Sequence, residues 1–485
     1  MTGGHIEVSA MAVPAASRVV FDRGTRLLAD GRALLGGSPL RLLRLTAEGA
    51  AAVCSMREGV TMAEIGADRP GSRARLVRRL LASGMVHPRQ GAPGPSHRDV
   101  AVVVPVRDRA EELPRLLAHL GPVGEVVVVD DGSIDDSGSV AEQAGARVLR
   151  RARSGGPAAA RNNGLSAVEA PFVAFLDSDC EPAPGWLDRL LVHFEDPAVV
   201  AVAPRIVEPL GSDDAILARY EAVRSPLDLG SREGPVFPRS RVSYVPAAAI
   251  VVRREAALAI GGFDETLTTG EDVDFVWRLA TGGVTVRYEP ESRVAHHHRS
   301  RLSAMLARRV AYGRSAAPLD RRHPGNVPAI EISRWTFGAW SLLASGHAVL
   351  GVGVAIGSAA VLSHRAGDID VDEPIDQLGY QLARVGVLGH WDAGRLIASA
   401  VTRTWLPIFV LASLISRRAR AVLLAAVVVP GLVEWAHRRP RLDPFRYLAI
   451  RMLDDGAYAT GVWQGCLSER TVAPLLPRLT GGKSR

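Results

Sequence analysis

The stretch Pro171-Phe-Val-Ala-Phe-Leu-Asp-Ser-Asp179 decides the fold of this 485-residue chain. Its apolar half predicts a buried strand, and Asp177 and Asp179 follow at the carboxyl end of that strand. Open α/β sheets bind ligands at this end of their strands. Two carboxylates there suit a hard divalent cation, Mg²⁺ or Mn²⁺, that arrives with a diphosphate. An isolated Asp-x-Asp is more often an acidic turn that caps a strand.

Three more strands are predicted before this one, at 100–105, 125–129 and 146–149. The first, Val100-Ala-Val-Val-Val-Pro105, is a continuous apolar run, which is typical of strands that a parallel sheet buries on both faces. Helical patterns separate the predicted strands, at 110–120, 137–144 and 158–169. This alternation predicts an α/β fold with a doubly wound parallel sheet.

Three further motifs accompany the Asp-x-Asp. Asp130 and Asp131 follow the strand predicted at 125–129, and the Gly-rich loop 154–157 leads into a helix that carries Arg161. A loop of this kind before a helix favours phosphate. Glu271-Asp272 starts a later helix, where the pair also suits plain N-capping. Likewise, Asp130 could form an Asx turn, and the loop could simply begin its helix.

In order and spacing, these motifs resemble those of the family 2 inverting glycosyltransferases, which have the GT-A fold. The resemblance implies a nucleotide-sugar donor, a divalent metal and a general base that deprotonates the acceptor. It assigns the base to Asp272, helped by Glu271, and predicts inversion to a β-glycoside. The implied donor contacts are Pro105, Arg107, Asp130, Asp131, Arg161 and Asp177, and the implied metal ligands are Asp179, Asp177 and His298.

The His296-His297-His298 run is the source of the third ligand, because imidazole suits Mn²⁺-type ions. Three adjacent histidines cannot all reach one ion from one strand end. The Gln-x-x-Arg-Trp pattern of processive polysaccharide synthases is absent from the sequence, and 331–335 keeps only its second half. A long extruded polymer is therefore not the expected product.

Residues 18–90 are predicted to form a separate unit of short strands and three short helices, two of which begin near Thr61 and Ser72. A further helical pattern covers 39–45. The arrangement resembles a winged helix of the PqqD-like peptide-binding type; a structural appendage and a DNA-binding domain are the alternatives. The Pro/Gly-rich segment 90–96 separates it from a catalytic domain at 98–330.

Residues 335–470 are predicted to form a hydrophobic helical region. The apolar run 340–363 is long enough to span a bilayer of about 30 Å, and two shorter runs follow at 406–416 and 421–435. Arginine clusters at 299–322 and 417–420 indicate the cytoplasmic face of the cell membrane. The alternative is a set of helices buried against the catalytic domain.

The composition limits the classes of partner that the protein is expected to bind. The net charge is +7 and the pI is near 9.8, which favours an anionic membrane surface, since no basic block interleaved with aromatic residues predicts nucleic-acid binding. The three cysteines are far apart and support neither a disulfide framework nor a zinc site. The first 17 residues lack the charged and apolar regions of a signal peptide.

The combination of a PqqD-like unit, a family 2 domain and a hydrophobic tail resembles the glycosyltransferases of the mycofactocin system. The segment Leu35-Gly-Gly-Ser-Pro-Leu-Arg-Leu-Leu-Arg44 is the most characteristic part. This resemblance implies that UDP-glucose is the donor and that a peptide-derived redox cofactor is the acceptor, extended by a short β-linked glucose chain. One alternative is a membrane-associated glycosyltransferase that makes a cell-wall polysaccharide or glycolipid. The other is a non-catalytic peptide- or sugar-nucleotide-binding protein.

Overall fold

A computed structural model describes residues 11–28, 31–89, 91–209, 215–297, 301–367 and 375–480, with side chains described outside 362–388. The chain forms two compact units. The first comprises Met1–Ser212 and Arg224–His298, and the second comprises Asp213–Val223 and Arg299–Arg485. All the described residues that the sequence nominates for chemistry lie in the first unit.

The first unit begins with a small region of short strands and two helices. Its elements are β1 (Arg18–Phe21), β2 (Arg26–Leu28), β3 (Ala33–Gly36), β4 (Arg41–Arg44), α1 (Ala47–Arg57), α2 (Ser72–Ser83) and β5 (Val86–Arg89). β1 pairs with β5, and β2, β3 and β4 form an antiparallel sheet in that order. These elements enclose their own apolar core, which includes Leu34, Val53, Met56, Val77 and Leu80.

Two of the predicted helices of this region are present, and two are not. α1 is capped by the Thr46 side chain, which accepts from Gly49 N–H, and α2 ends at Gly84 in the left-handed conformation. The helix predicted over 39–45 is wrong, because that segment contains β4. The helix predicted from Thr61 is also wrong, because turns occupy 62–66.

A nine-stranded mixed sheet makes up the rest of the first unit. Its strands are β6 (Val100–Val106), β7 (Glu125–Asp130), β8 (Arg147–Arg150), β9 (Phe172–Leu176), β10 (Cys180–Pro182), β11 (Val199–Val207), β12 (Gly234–Pro235), β13 (Ala249–Arg253) and β14 (Thr285–His296). The helices beside it are α3 (Leu113–His119), α4 (Ser137–Gln143), α5 (Gly156–Ala167), α6 (Trp186–Leu191), α8 (Arg254–Ala259) and α9 (Glu271–Leu279).

The order of the sheet is β10-β14-β11-β13-β9-β6-β7-β8, with β12 paired to β14. The four strands β9, β6, β7 and β8 are parallel, as the alternating pattern predicts. The other half departs from that prediction, because β13 runs antiparallel to both β9 and β11. The carboxyl ends of the parallel strands therefore meet at one edge, where the motif loops begin.

Buried ion pairs join the small N-terminal region to the large sheet. Arg78 of α2 donates to both carboxylate oxygens of Asp196, at 2.5 and 2.9 Å, and both side chains are buried. Asp22 accepts from Arg232 at 2.8 Å and from Arg241 at 3.1 Å. Such pairs fix the N-terminal region against the sheet, because separating them would leave buried charges without partners.

The second unit is mainly helical. It contains α7 (Ile216–Arg224), α10 (Leu302–Arg314), α11 (Ala316–Arg322), β15 (Ile330–Ser333), α12 (Arg334–Ala344), α13 (Ala348–Gly367), α14 (Ile375–Arg403), α15 (Leu406–Ile415), α16 (Arg417–Arg438), α17 (Pro444–Ser468) and β16 (Pro477–Thr480). Arg309 is buried between Glu221, at 3.1 Å, and Asp454, at 2.8 Å. β15 and β16 pair in parallel.

The apolar run 340–363 is not one helix. It breaks between α12 and α13, where Gly346 adopts a φ of +88°. By length and composition, α16 could cross a membrane, and the pair 389–403 and α15, bent by 85°, could form a second, broken span.

Candidate functional site

Two of the predicted motifs lie at the carboxyl ends of strands in the parallel half of the sheet. Asp177 and Asp179 follow β9, and Asp130 is the last residue of β7. Between these strands lies β6, which ends at Val106, opposite Asp130 in the strand register. The topology therefore brings the Asp-Asp and Asp-x-Asp motifs to the same edge of the sheet.

Asp131 anchors the Gly-rich loop. Its carboxylate accepts hydrogen bonds from the Ser154 hydroxyl at 2.7 Å, Gly155 N–H at 2.9 Å and Gly156 N–H at 2.8 Å. It also pairs with Arg151 at 2.8 Å. Since these contacts occupy both oxygens, Asp131 fixes the loop in place, a function that spacing alone did not suggest.

The neighbouring Asp130 makes fewer contacts with the backbone. Its Oδ1 accepts the N–H of Ser133 at 2.8 Å, the geometry of an Asx-type turn. Arg107, half exposed beyond the end of β6, donates to the Ser154 hydroxyl at 3.0 Å. Pro105 lies in β6 opposite Val129. Asp130, Arg107 and the anchored loop therefore lie at the same edge of the sheet.

Arg161 connects the Asp-x-Asp motif with the helix that carries Asp272. Its buried guanidinium donates to Asp177 at 2.7 Å and to Glu271 at 3.0 Å. Burial opposes its charge, but the nearby Asp177 and Glu271 carboxylates outweigh that effect and raise the pKa of Arg161. This bridge spans 110 residues of sequence and brings the start of α9 to the same edge of the sheet as the end of β9.

Aromatic packing holds that bridge in position. The Arg161 guanidinium lies 5.4 Å from the ring centre of Phe263, which stacks on Phe275 at 4.0 Å. Asn162 bonds both to the N–H and to the carbonyl of Phe263, each at 2.8 Å. Gly262 must be glycine here, because its φ is +69° and a Cβ would lie 2.4 Å from Asn162 Oδ1. Asn162 is thus a positioning residue that the sequence motif contained but its spacing did not reveal.

Asp272 lies at the start of α9, directly after Glu271. Burial, and next the adjacent Glu271 carboxylate, raise the pKa of Asp272 to about 7. Its Oδ1 accepts the N–H of Val273 at 2.8 Å, and no side-chain donor among the described residues bonds to it. Glu271 is instead held by Arg161. Of the two carboxylates, Asp272 is therefore the one without a side-chain hydrogen-bond partner among the described residues.

Asp179 faces a histidine of β14. His296 Nε2 lies 3.3 Å from Asp179 Oδ1, next to the point where Cys180 of β10 pairs with His296. Burial opposes ionisation, but the hydrogen bond and charge of His296 outweigh it and lower the pKa of Asp179 to about 2. His297 points elsewhere, toward Glu181 at 3.2 Å and Arg115 at 3.1 Å.

His298, the histidine nominated from sequence, lies outside the described residues. In the part of the chain that the structure describes, three or more His, Cys, Asp or Glu side chains do not gather into a metal-binding group. The protein donors that fit a hard cation are therefore Asp179 and His296. A diphosphate and water would have to supply the remaining ligands, as is usual for Mg²⁺.

Comparison with known proteins decides the family. The family model described as glycosyl transferase family 2 matches residues 101–258. The pre-mycofactocin glycosyltransferase of Mycobacterium tuberculosis (strain CDC 1551 / Oshkosh) is 44% identical over 487 residues, covering 97% of this chain and 100% of the relative. The chain belongs to the pre-mycofactocin glycosyltransferase family. It is therefore a family 2 glycosyltransferase of the mycofactocin pathway, which confirms the predicted enzyme class and α/β fold class.

More distant relatives and structures were also found. The succinoglycan biosynthesis protein ExoU of Rhizobium meliloti (strain 1021) is 28% identical over 214 residues, covering 38% of this chain and 58% of the relative. The mannosyltransferase PcManGT from Pyrobaculum calidifontis, solved with GDP-Man and Mn²⁺, is 20% identical, covers 62% of this chain and 90% of its own, and gives a TM-score of 0.38.

Proposed function

We propose that this enzyme transfers glucose from UDP-glucose, with inversion, to the peptide-derived redox cofactor mycofactocin or its precursor, and builds a short β-linked glucose chain. The observation that carries the proposal is the Arg161 bridge. It joins the strand end that bears Asp177 and Asp179 to the helix start that bears Asp272. Donor binding and acceptor deprotonation can therefore occur at one edge of the sheet.

Asp272 is proposed as the general base. With a pKa near 7, its carboxylate can take the proton of an acceptor hydroxyl at neutral pH. The acceptor oxygen then forms a bond to the anomeric carbon as the bond from that carbon to the diphosphate breaks. Attack from the face opposite the diphosphate inverts the configuration. Glu271 assists by anchoring Arg161 beside the base.

Asp179 and His296 are the proposed protein ligands of a divalent cation, Mg²⁺ or Mn²⁺. The donor set fits, because Asp179 is ionised well below neutral pH and faces the imidazole. A bound cation would supply charge neutralisation on the departing diphosphate. Asp177, tied to Arg161, is proposed to contact the donor ribose or a water on the metal, and His298 remains a candidate ligand.

The proposed nucleotide slot uses Asp130, Arg107, Pro105 and the anchored loop. A carboxylate at the end of β7 can accept the imide N–H of uracil, which is the reason for choosing a uridine nucleotide. The N–H groups of Gly155 and Gly156 are already bonded to Asp131, so the N–H groups that could favour phosphate at the start of α5 are those that follow Pro157. Asp131 supports this slot indirectly, because its oxygens already hold Ser154, Gly155 and Gly156.

The N-terminal region is proposed to be PqqD-like and to capture the peptide part of an acceptor. β4 lies at the edge of its three-stranded sheet, and an exposed strand edge can add an extended peptide as another strand. Deletion of residues 1–90 is expected to impair transfer to a peptide-bearing acceptor more than donor hydrolysis. Equal transfer rates would refute peptide capture. The deletion also removes Arg78 from buried Asp196, so folding must be checked first.

The second unit is proposed to bind the cytoplasmic face of the cell membrane. Large apolar side chains stand exposed on α13, α15 and α16, among them Val349, Ile356, Leu411, Leu414, Ile415 and Leu424. Arg417, Arg418 and Arg420 start α16 and would meet anionic lipid headgroups. Such a surface is larger than scattered exposed apolar residues normally make.

Flotation with vesicles of anionic and neutral lipids tests this membrane proposal. The native protein should float with anionic vesicles, and Leu411→Asp combined with Leu414→Asp should reduce its recovery. Leu258→Asp, at an exposed apolar position of the first unit, is the matched control. Equal recovery of all three proteins would refute membrane binding through α15.

Reconstitution with defined donors tests the transfer itself. Purified protein, a pre-mycofactocin acceptor, divalent metal and UDP-glucose should give products heavier by successive hexose masses in mass spectrometry. GDP-mannose and UDP-galactose serve as donor controls, and a lipid acceptor tests the alternative of cell-wall glycolipid synthesis. Transfer only to the lipid would reassign the acceptor, and preference for another donor would reassign the sugar.

A further inference from the structure

A cavity of about 670 Å³ lies between the N-terminal region and the large sheet. Its walls come from α2, from the chain just after β4, and from residues near the start of β14. Six arginines line it and define what we call the arginine cavity: Arg44, Arg73, Arg75, Arg78, Arg79 and Arg287. Its volume lies in the range typical of ligand sites.

The arginine cavity has an uncompensated positive charge. Only two carboxylates line it, Glu48 and Asp196, which leaves an excess of four positive charges. Arg73 pairs with Glu48 at 3.1 Å and Arg78 with Asp196. The other four arginines have no carboxylate closer than 3.6 Å among the described residues. Charge of one sign within a concave wall concentrates ligands of the opposite sign.

Arg287 is the strongest indication that a ligand belongs here. Its side chain is only 2% exposed, and its nearest carboxylate, that of Glu233, is 3.6 Å away. Within the described part of the chain, its buried Nε and Nη2 atoms have no hydrogen-bond partner. Leaving buried charged donors unsatisfied is costly, and burial accordingly lowers the pKa of Arg287. An anion in the cavity would bring the compensating charge.

The position of the cavity distinguishes it from the donor site. β14 contributes Arg287 near its start and His296 at its end. The two residues are nine positions apart, a span of at most about 30 Å along the strand, and neither Asp179 nor His296 is among the residues that line the cavity. The arginine cavity is therefore distinct from the proposed metal site, but an extended peptide bound there could reach toward it.

We propose that the arginine cavity binds an extended peptide segment that carries several carboxylates. Arg75 and Arg79 are four residues apart on one face of α2, so that they can meet successive acidic side chains. Arg44 ends β4, whose free edge can pair with the peptide backbone. This inference rests on the proposed peptide capture. It adds that the peptide is acidic and that Arg287 of the large sheet takes part in binding it.

Fluorescence anisotropy with labelled peptides of about ten residues, long enough to extend about 30 Å, tests the proposal on the full chain. One peptide alternates Glu with Thr, and matched peptides replace Glu by Gln or by Lys. The Glu peptide should bind saturably and roughly tenfold or more tightly than the Gln peptide, with affinity that falls as salt rises. The Lys peptide should not bind.

Charge reversal locates the site. Arg75→Glu with Arg79→Glu should weaken binding of the Glu peptide by roughly tenfold or more, and both side chains are exposed enough to tolerate the change. The control is Arg57→Glu with Arg189→Glu, which reverses two exposed arginines outside the cavity and should leave the affinity unchanged. Arg287→Gln should also weaken binding, provided that its thermal unfolding shows a folded protein.

Three results would overturn the inference. Equal affinity for the Glu and Gln peptides would leave peptide capture standing but refute the acidic specificity. Equal losses in the cavity and control variants would place binding elsewhere. Displacement of the Glu peptide by inorganic phosphate at equal concentration would make the cavity a small-anion site. Failure of the proposed transfer reaction is separate, since donor hydrolysis is measured without peptide.

Discussion

Replacement of Asp272 by asparagine should slow sugar transfer and stabilise the folded protein at the same time. Asparagine keeps the shape of the side chain and can still accept the Val273 N–H, but it cannot take a proton. Transfer should fall by roughly 10²–10⁴-fold. Donor affinity should barely change, because Arg161 keeps its contacts with Asp177 and Glu271.

The gain in stability follows from the pKa of Asp272. Folding raises the pKa of the Asp272 carboxyl group from 3.8 to about 7. The group therefore contributes stability that is fully present below the pKa of the unfolded state and is lost as the pH rises through the pKa of the folded state. A difference of roughly three pKa units corresponds to at most about 4 kcal/mol. Since asparagine never ionises, the variant should unfold at a higher temperature than the native protein above pH 7, and the difference should vanish at acid pH.

Two measurements distinguish a catalytic role of Asp272 from a purely structural one. Transfer rates and thermal unfolding are recorded across the pH range for the native protein, Asp272→Asn and the adjacent Glu271→Gln. The native rate should rise with pH through about 7. Glu271→Gln should instead lose stability, because it removes a carboxylate from buried Arg161. A near-normal rate for Asp272→Asn would refute its role as base and leave Glu271 or Asp274 as the next candidates.

Three further predictions concern the buried charges of the first unit. Asp179→Ala should abolish turnover while the protein stays folded, as chelation with EDTA should, and full activity in excess EDTA would exclude the metal. Arg161→Gln should lower the unfolding temperature and shift the pH profile of transfer to higher pH, because Asp177 and Asp272 lose a nearby positive charge. An unchanged pH profile would refute the electrostatic effect of Arg161 on the proposed base. Arg78→Met should cost about 3–5 kcal/mol of unfolding free energy by stranding Asp196, and Asp196→Asn added to it should restore part of that loss.

The parallel half of the sheet was predictable because its strands are apolar on both faces. Runs such as Val100–Val106 and Phe172–Leu176 carry their own signal and need no partner to be recognised. The antiparallel insertion of β13 was not predictable, because an apolar strand carries no mark of its direction. β2 and β4 were missed because three- and four-residue strands of Arg and Leu alternate too briefly to be distinguished from a helix.

The choice among the three histidines could not be made from the sequence, because it depends on how each side chain is directed at the end of β14. β14 extends through His296. His296 Nε2 lies 3.3 Å from Asp179 Oδ1, whereas His297 Nε2 lies 3.2 Å from Glu181 Oε2. The direction of the side chain, which residue type does not determine, therefore decides which imidazole lies beside Asp179.

The Arg161 bridge could not be predicted from the spacing of the motifs. Motif order indicated that Asp177, Glu271 and Asp272 serve one reaction, but it gave no reason for three carboxylates to share one buried corner. Such a cluster would be unstable without a positive charge among them. Arg161 supplies that charge and pairs with Asp177 and Glu271. Asp272 is left without a side-chain partner among the described residues, and burial, followed by the Glu271 carboxylate, raises its pKa although Arg161 opposes the rise. The proposed choice of Asp272 as the base therefore rests on contacts that the spacing of the motifs does not reveal.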